Sequence, residues 1–445
     1  MKIVSFFAGC GGLDLGFEQA GFNVIWANEF DKQIHETYSR NHPKTFLSKK
    51  DIRDLSLSEI PDCDGFIGGP PCQSWSYGGK QLGIDDERGR LFLDYIKIIK
   101  GKRPKFFVIE NVEGIISDKH FKTFLSFLND LREADYDVYY KLLNASDFKI
   151  PQDRKRVFIV GFRKELKIAY SFPQPSKELP ITLKQAIGDI TIAPSFYSKE
   201  QSINKKNALS NHDVYNGAYD AKFMARNRVR SWDEVSFTIQ AQAKNCPLHP
   251  QAPKMQYIDS NHRCFVKGKE SLYRRLSVRE CARIQSFPDW FTFYYNNVID
   301  GYKMVGNAVP PRLAKAIANS INNCLKEQSK LPTILVGYFK DDNQLKKTLE
   351  NKLYYVRAGL RRGALQLPIG VIPQYVYLHR AKYGKMFKLK NEEPTIKTTE
   401  YLENLGFTPS GGIYLTFQLE STIPVETEPI TLKGTGNNIA IPYLI

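Results

Sequence analysis

Two polar side chains each follow a buried strand that the sequence predicts. The apolar stretch 63–67 predicts the first strand, and residues 68–73 after it read Gly-Gly-Pro-Pro-Cys-Gln. Glycine and proline prevent regular structure there, so Cys72 is predicted at the end of a stiff loop. Glu110 follows the second predicted strand, 104–109. Because the carboxyl ends of parallel strands meet at one edge of a sheet, we expect Cys72 and Glu110 to converge on one crevice.

A thiol and a carboxylic acid without a histidine base favour one kind of chemistry. A cysteine protease needs a base such as histidine to activate its thiol, and neither segment contains one. A thiolate can instead add to an electron-poor ring while the acid protonates the ring nitrogen that gains charge. The neighbouring carbon then becomes nucleophilic toward a methyl group carried by a cofactor. The alternatives are a structural core cysteine at Cys72 and a strand-end cap or salt bridge at Glu110.

Two arginines, Arg154 and Arg156, lie at the start of a further predicted strand that continues to residue 162. Residues two apart on a strand point to the same side, so both guanidinium groups are predicted to face the same way. They could orient a carbonyl group of the ring, lower the pKa of the thiol, or do both. Their alternative role is surface charge in a basic protein.

The N-terminal segment predicts a turn that binds a nucleoside. A strand at 2–7 runs into the glycine-rich turn 7–12, then a helix at 13–20, a second strand at 22–27 and Glu29. Glycines let a ligand approach the backbone, and an acidic residue about 20 positions later suits a ribose diol. The full G-x-G-x-x-G spacing and a Walker lysine are absent, so a nucleoside with an amino-acid tail fits better than a pyrophosphate. A plain glycine-rich turn is the alternative.

The net charge and the cysteines indicate which kind of partner and which cellular compartment to expect. The formal net charge of +16 and the pI of about 9.3 favour a polyanionic partner, most simply nucleic acid. Seven cysteines, scattered without paired metal-ligand spacing, indicate a reducing cytoplasm and no disulfide framework, and we predict no metal site. We expect no transmembrane segment and no cleavable signal, because no apolar run is long enough and the N-terminus enters a strand directly.

The elements that must position these side chains alternate between strand and helix, which predicts a doubly wound α/β catalytic domain. From about residue 168 the chain becomes irregular, polar and rich in proline. Helical patterns return at 278–286 and 311–325. We therefore predict a catalytic domain, a smaller irregular target-recognition domain, a return to the catalytic domain, and a C-terminal α+β module, at residues 1–167, 168–272, 273–326 and 327–445.

Taken in order, the motifs of the chain resemble those of the cytosine-C5 DNA methyltransferases. The resemblance covers roughly the first 325 residues and is carried by the segments 7–12, 68–73, 110–112, 152–156, 275–280 and 306–310. It implies S-adenosyl-L-methionine as methyl donor and cytosine in double-stranded DNA as substrate. It also implies that Cys72 attacks cytosine C6, that Glu110 is the acid at N3, and that Arg156 contacts the flipped base with Arg154 close by.

The same resemblance implies a set of cofactor-binding residues. In it, Glu29 holds the ribose, Asp51 and Ile52 contact the adenine, and Asn307 and Val309 support the methionine end. Phe30 stands where some members have a tryptophan, and it can still stack on adenine. The complete predicted set is Phe7, Gly9, Gly11, Leu13, Glu29, Phe30, Asp51, Ile52, Pro70, Asn307 and Val309.

DNA contacts are predicted after the nucleophile and in the irregular region. Alternation of Arg226, Arg228 and Arg230 predicts arginines that face one way, and arginine bidentate to guanine is the commonest specific major-groove contact. Phosphate clamps are the alternative. The region 226–253 resembles GGCC-specific, HaeIII-type members, which implies methylation of the inner cytosine of GGCC. The complete predicted set is Gln73, Ser74, Arg226, Arg228, Arg230, Thr238 and Lys244.

Two rival functions stay open at this stage. One is a cytosine-C5 methyltransferase acting on RNA such as tRNA, and the other is a sequence-specific DNA binder that no longer catalyses. The resemblance favours a monomer in the cytoplasm of a bacterial or archaeal cell, associated with the nucleoid and paired functionally with a restriction endonuclease. The tail beyond about residue 332 has open roles: an accessory DNA-binding module, a partner-binding module or a companion activity.

Overall fold

The computed structural model describes residues 1–71, 87–200, 209–327, 334–339, 341–357, 373, 375–380, 383–390, 395–409, 413–425 and 443–444. These residues form two compact units. Unit 1 consists of Met1–Tyr136, Tyr140–Leu166 and Tyr170–Lys326. Unit 2 consists of Asp137–Tyr139, Lys167–Ala169 and Glu327–Ile445. The predicted nucleophile, Cys72, and its neighbours Gln73 and Ser74 lie outside the described residues.

A seven-stranded sheet dominates the first part of the chain. Its strands are β1 (Lys2–Phe6), β2 (Asn23–Asn28), β3 (Phe46–Ser48), β4 (Gly65–Gly68), β5 (Phe106–Val112), β6 (Tyr136–Asn144) and β7 (Lys155–Arg163). The intervening helices are α1 (Gly12–Gln19), α2 (His35–Asn41), α3 (Glu87–Lys102) and α4 (Phe121–Glu133). The predicted α/β fold is confirmed.

The order of the strands places the ligand-binding edge of this sheet. The order is β3-β2-β1-β4-β5-β7-β6, and β1 pairs in parallel with both β2 and β4. Successive strands are therefore added first on one side of β1 and then, from β4, on its other side. Ligands bind at such a topological switch point, in the crevice outside the carboxyl ends of the strands. Strand β5 is parallel to β4 but antiparallel to β7, so β7 begins where β5 ends. This reversal brings residues around 156 to the edge that holds Glu110.

Burial explains why the central strands form. Residues Phe106–Ile109 of β5 are completely buried, as expected for a strand that is covered on both faces of a sheet. The long helix over Pro311–Glu327 packs on α1, because a Cβ added at Gly16 would lie 2.3 Å from Cβ of Ala314. Only glycine allows this approach, so the late chain is fixed against the first helix.

Residues 167–327 contain short elements separated by irregular chain. They are α5 (Leu183–Ile187), β8 (Ser195–Tyr197), β9 (Asp213–Tyr215), α6 (Ala221–Met224), β10 (Gln256–Asp259), β11 (His262–Cys264), α7 (Val278–Ile284), α8 (Val298–Asn307) and α9 (Pro311–Glu327). The N-terminus of α7 has a capping box, in which Ser277 and Glu280 each bind the other's backbone N–H. Helix α7 ends at Ile284, two residues before the predicted end at Ser286. Ser286 has a left-handed φ of 66°.

Unit 2 combines two small sheets with two helices. Its elements are β12 (Ile334–Tyr338), α10 (Asp342–Glu350), β13 (Leu353–Arg357), β14 (Tyr375–Arg380), β15 (Tyr383–Lys388), β16 (Thr395–Thr398), α11 (Thr399–Asn404), β17 (Ile413–Gln418) and β18 (Tyr443–Leu444). The strand orders are β15-β14-β12-β18 and β13-β17-β16. Across the described parts of both units, no helix is sufficiently long and apolar to span a membrane.

Candidate active site

Glu110 lies near the end of β5, where its carboxylate meets an arginine of β7. Nε of Arg156 is 2.9 Å from Oε1 of Glu110, and both side chains are almost buried. Arg156 pairs with Val112 in the β5–β7 ladder, so the ion pair joins diagonal neighbours on one face of the sheet. Burial raises the pKa of Glu110, and the positive charges of Arg156 and Arg154 oppose this rise. A buried carboxyl with a raised pKa is suited to act as a proton donor.

The segment that leads to Cys72 passes directly beside this carboxylate. A Cβ added at Gly69 would lie 3.3 Å from Oε2 of Glu110, so glycine allows the close approach. The side chain of Asn111 donates from Nδ2 to the carbonyl oxygen of Pro70 at 3.3 Å, and this holds the segment two residues before Cys72. Pro70 itself is buried. Sequence reasoning assigned Asn111 no role of its own, and its signal was its position directly after the predicted acid.

Arg154 and Arg156 have different partners, although the positive charge of both acts on Glu110. The side chain of Arg154 is 1% exposed, and its guanidinium donates to the carbonyl oxygens of Ile239, Gly306 and Ala308, each at 2.9 Å. Arg154 is a positioning residue that fixes distant backbone segments beside the acid.

Two buried glutamines that sequence reasoning missed complete this polar network. Nε2 of Gln152 donates to Oε1 of Gln285 at 2.7 Å, and Oε1 of Gln152 accepts from the backbone N–H of Ile239 at 2.7 Å. Gln285 in turn donates to the carbonyl oxygen of Val305 at 2.8 Å. The segment 305–308 and residue 239 are thereby fixed to the chain just before β7. Gln152 belongs to the segment 152–156 that carries the family resemblance, but the sequence does not indicate that its partner is Gln285.

The glycine-rich turn has the geometry of a ligand cradle. Phe7, Gly9 and Gly11 have φ values of 51°, 56° and 88°, and a Cβ added at Gly9 would meet no atom within 4 Å. The backbone N–H groups of Gly9 and Asp31 donate to the two carboxylate oxygens of Glu29, each at 2.8 Å. Burial raises the pKa of Glu29, and these two hydrogen bonds oppose the rise. Each oxygen keeps a second acceptor site, so the carboxylate is oriented and can still accept from hydroxyl groups.

The segment 306–310 contacts the end of this glycine-rich turn. A Cβ added at Gly12 would lie 2.4 Å from the carbonyl oxygen of Val309. Val309 is buried and Asn307 is exposed. The structure therefore brings Val309 to the turn that carries Leu13, a core residue of α1.

The residues predicted to hold adenine differ in how available they are. The ring of Phe30 is 62% exposed directly after Glu29, which leaves it free to stack on a planar ligand. Ile52 is buried in the core. Both carboxylate oxygens of Asp51 accept from Arg53, at 2.9 Å from its backbone N–H and 2.7 Å from Nη2. These hydrogen bonds lower the pKa of Asp51, and they leave it fewer acceptor sites for an adenine amino group than the sequence suggested.

The three alternating arginines have different surroundings, although Arg226 and Arg228 line one cavity. Arg228 is buried and donates from Nε to the carbonyl oxygen of Phe223 at 3.0 Å and from Nη2 to that of Lys222 at 3.1 Å. Burial lowers its pKa to about 10. Arg230 pairs with Glu234 at 3.1 Å. The guanidinium groups of Arg228 and Arg230 thus each find an acceptor nearby in their own folded segment.

The other predicted DNA contacts are exposed or lie beside the catalytic strand. Arg226 is exposed and makes no hydrogen bond or ion pair with the described residues. Oγ1 of Thr238 donates to the carbonyl oxygen of Asp153 at 2.6 Å, which places it next to the chain before β7. The exposed side chain of Lys244 lies 3.6 Å from Asp220. Among these positions Arg226 is the better candidate for reading a base.

Together these groups form one catalytic edge. An acid with a raised pKa, an arginine 2.9 Å away, the Gly69–Pro70 segment beside them and an oriented carboxylate at a glycine turn lie at the carboxyl ends of β1, β2, β4 and β5. Within the residues that the structure describes, no cluster of His, Cys, Asp and Glu could hold a metal ion. The arrangement can bind a nucleoside cofactor and can protonate a ring nitrogen.

Comparison with known proteins covers the same part of the chain. Residues 1–323 match the family model for C-5 cytosine-specific DNA methylases. The Type II methyltransferase M.FnuDI of Fusobacterium nucleatum is 52% identical over 337 residues, which cover 74% of this chain and 97% of the relative. The Type II methyltransferase M.NgoPII of Neisseria gonorrhoeae is 51% identical over 332 residues, which cover 73% and 96%.

Among solved structures, a candidate DNA modification methyltransferase encoded within an E. coli prophage superposes with a TM-score of 0.57. It is 24% identical, and the match covers 74% of this chain and 100% of that structure. At this identity the likeness concerns the fold.

Proposed function

The chain belongs to the C-5 cytosine-specific DNA methylase family, and we propose that it methylates the inner cytosine of GGCC through a covalent intermediate on Cys72. It is a DNA cytosine-5-methyltransferase, and its methyl donor is S-adenosyl-L-methionine. The target sequence, the flipping of the base and the role of each side chain are the parts that we propose. The observation that carries the proposal is the buried pair of Glu110 and Arg156 beside the loop to Cys72.

In the proposed first step, the thiolate of Cys72 forms a bond to cytosine C6. The electron pair of the C5–C6 double bond moves toward N3, and Glu110 supplies the proton that N3 takes up. Burial raises the pKa of Glu110, so this acid keeps its proton to higher pH than an exposed carboxyl does. Arg156 orients the carboxyl through Oε1, while Oε2 faces the loop that leads to Cys72. Carbon C5 thereby becomes nucleophilic.

The second half of the reaction restores the ring. S-adenosyl-L-methionine supplies the methyl group that C5 takes up. The C5 proton then leaves to a base, the electron pair of the C5–H bond reforms the double bond, and Cys72 departs as thiolate. Glu110 takes back the proton from N3, so the enzyme ends the cycle in its starting protonation state.

The glycine turn fits a nucleoside donor. The space at Gly9 is free of protein atoms, and Glu29 is oriented by two backbone N–H groups with acceptor sites to spare for a ribose diol. The exposed ring of Phe30 can cover an adenine face. Val309 closes the turn on the opposite side. We propose that these residues, with Phe7, Gly11 and Asn307, hold the donor.

The target atom is inaccessible inside a base stack, so we propose that the cytosine rotates out of the duplex, which costs a few kcal/mol. The net charge of +16 favours the phosphate contacts that offset this cost. Residues 168–272 are the proposed recognition region. The relatives named as Type II methyltransferases support a functional pairing with a restriction endonuclease.

A methyl-transfer assay tests the proposal and separates it from its rivals. Purified protein with labelled S-adenosyl-L-methionine is given a GGCC duplex, a duplex of shuffled sequence, and tRNA. We expect label at C5 of the inner cytosine of GGCC alone, located by bisulfite sequencing. Transfer to tRNA would support the RNA-modifying alternative. Binding to GGCC without any transfer would support the non-catalytic binder.

A further inference from the structure

A cavity of about 160 Å³ lies in the recognition part of unit 1. This space is roughly ten times what one water molecule requires. Arg226, Arg228, Phe237, Thr238, Gln240 and Asn245 are among the residues that line it. The cavity adjoins the catalytic edge, because Thr238 is bonded to Asp153 just before β7 and the neighbouring carbonyl of Ile239 binds Arg154.

One wall of the cavity carries a buried acceptor without a partner. Asn245 is 8% exposed, and its Nδ2 donates to Oε1 of Gln242 at 2.8 Å. Its Oδ1 is buried and accepts no hydrogen bond from the described residues. A buried polar atom without a partner costs about 1–3 kcal/mol, and such groups in folded proteins call for an explanation. A ligand that donates a hydrogen bond in the cavity supplies that explanation.

The acceptor is held in place from behind. Asn245 ends a short helical turn that begins at Ala243. The buried side chain of Arg275 donates to the carbonyl oxygen of Lys244 in this turn and to the carbonyl oxygens of Gly217, at 2.7 Å, and Ala218, at 3.2 Å. The backbone of the turn is thereby fixed, and the hydrogen bond from Nδ2 to Gln242 orients the amide of Asn245.

A hydrogen-bond donor, Arg226, lines the same cavity. Arg226 is exposed and its guanidinium makes no hydrogen bond or ion pair with the described residues. The cavity thus offers cationic donors at one position and an uncharged acceptor at another. A phosphate group has no donor for the acceptor, so a phosphate clamp explains Arg226 but not Asn245.

We infer that this cavity reads the edge of one G·C pair of the recognition sequence, with Asn245 as a specificity-determining residue. This inference rests on the proposed function. Guanine presents the acceptors O6 and N7 in the major groove, which suit Arg226, and its paired cytosine presents the N4 amino donor, which suits Oδ1 of Asn245. An A·T pair in the same place keeps the N7 acceptor but puts the adenine N6 donor against Arg226, so the bidentate contact is lost. The thymine O4 acceptor then faces Asn245, and that hydrogen bond fails.

The test compares Asn245→Leu with the native enzyme on single-substitution duplexes. The target sequence of the native enzyme is first mapped by bisulfite sequencing. The ratio kcat/KM is then measured on that target and on duplexes in which each G·C pair in turn is replaced by A·T. We expect Asn245→Leu, which keeps the branched shape and removes the acceptor, to lose discrimination at one position by roughly fivefold to one hundredfold.

A modified base checks the atom that is contacted. At the position so identified, the non-target cytosine is replaced by 2-pyrimidinone, which lacks the N4 amino group. The native enzyme should lose activity on this duplex, and Asn245→Leu should lose at least about fivefold less. The weaker base pairing of the modified duplex affects both enzymes, so the difference reports the contact with N4. Asn129→Leu, an exposed change in α4, is the matched control and should behave as the native enzyme.

The outcomes separate the inference from the function on which it rests. Unchanged discrimination at every position in Asn245→Leu would overturn the inference, and so would an equal loss on all duplexes, which indicates a structural role. Both results require a native enzyme that methylates DNA. If the native enzyme transfers no methyl group to any duplex, the proposed function fails instead.

Discussion

Glu110 and Arg156 form an ion pair of 2.9 Å between diagonal positions of two antiparallel strands. The two residues are 46 positions apart in the chain, but the ladder of β5 and β7 brings them to the same face and the same edge. The pair orients the carboxyl, while burial keeps its pKa raised. The proposed acid is therefore positioned by the sheet itself and does not depend on a loop.

Replacing Glu110 by Gln should remove the proton donor with little change in shape. We expect kcat to fall about 10²- to 10⁴-fold, the usual contribution of a general acid, with DNA binding largely retained. Because the pKa of Glu110 is raised, the native rate should stay high below that pKa and fall as pH rises through it. Glutamine cannot lose a proton there, so the residual rate of the variant should lack this alkaline limb. The same limb in Glu110→Gln would assign the titration to another group.

Arg154 should matter for stability more than for proton transfer. Arg154→Met removes a donor from three buried carbonyl oxygens, of which only that of Ala308 keeps another, from Gln285, and we expect the free energy of unfolding to fall by about 3 kcal/mol or more. All four tryptophans of the chain precede residue 300, so their fluorescence during denaturant unfolding reports on unit 1.

Arg40→Met provides the control for Arg154→Met. It breaks an exposed pair with Glu36 and should cost less than about 1 kcal/mol. Equal unfolding midpoints for the two variants would contradict the positioning role of Arg154.

The glycine turn offers a pair of substitutions matched for backbone strain. Gly9 and Gly21 have φ values of 56° and 89°, and an added Cβ meets no atom within 4 Å at either. Alanine should therefore strain both backbones by a similar 1 kcal/mol or so. Only Gly9→Ala places its methyl group in the proposed cofactor space, so its Kd for S-adenosyl-L-methionine should rise at least about tenfold, measured by calorimetry. Similar Kd values for Gly9→Ala and Gly21→Ala would remove Gly9 from the cofactor site.

Of the arginines in the recognition region, Arg226 is expected to contact a base and Arg228 to stabilise the fold. Arg226→Ala should lose at least about fivefold in discrimination between the target and single-substitution duplexes, because its guanidinium is free to bind guanine. Arg228→Ala should instead lower the melting temperature, since Arg228 binds the carbonyl oxygens of Lys222 and Phe223. If Arg226→Ala weakens binding equally on specific and random DNA, Arg226 contacts phosphate.

The sequence was sufficient for those features that depend on local pattern. The apolar run of β5, the glycine turn before α1 and the period of α9 each predicted an element that the structure contains. Glu110 was recognised because it follows a buried strand. These features need no knowledge of which distant segments meet.

The remaining features depend on partners that are far apart in the chain. The hydrogen bonds of Arg154 depend on carbonyl groups at residues 239, 306 and 308. Arg228 is turned inward by acceptors a few residues away, which an extended alternation cannot anticipate. The buried acceptor of Asn245 becomes visible only when the cavity around it is known.

The covalent bond between Cys72 and the target base is the claim on which the proposed reaction depends. A duplex with 5-fluorocytosine at the target position tests it, because fluorine replaces the C5 proton whose loss frees the enzyme. With S-adenosyl-L-methionine present, we expect a protein–DNA adduct that survives denaturation and maps to Cys72 by mass spectrometry, and none with Cys72→Ala. If the native enzyme methylates ordinary cytosine but forms no adduct with this duplex, the proposed mechanism is contradicted.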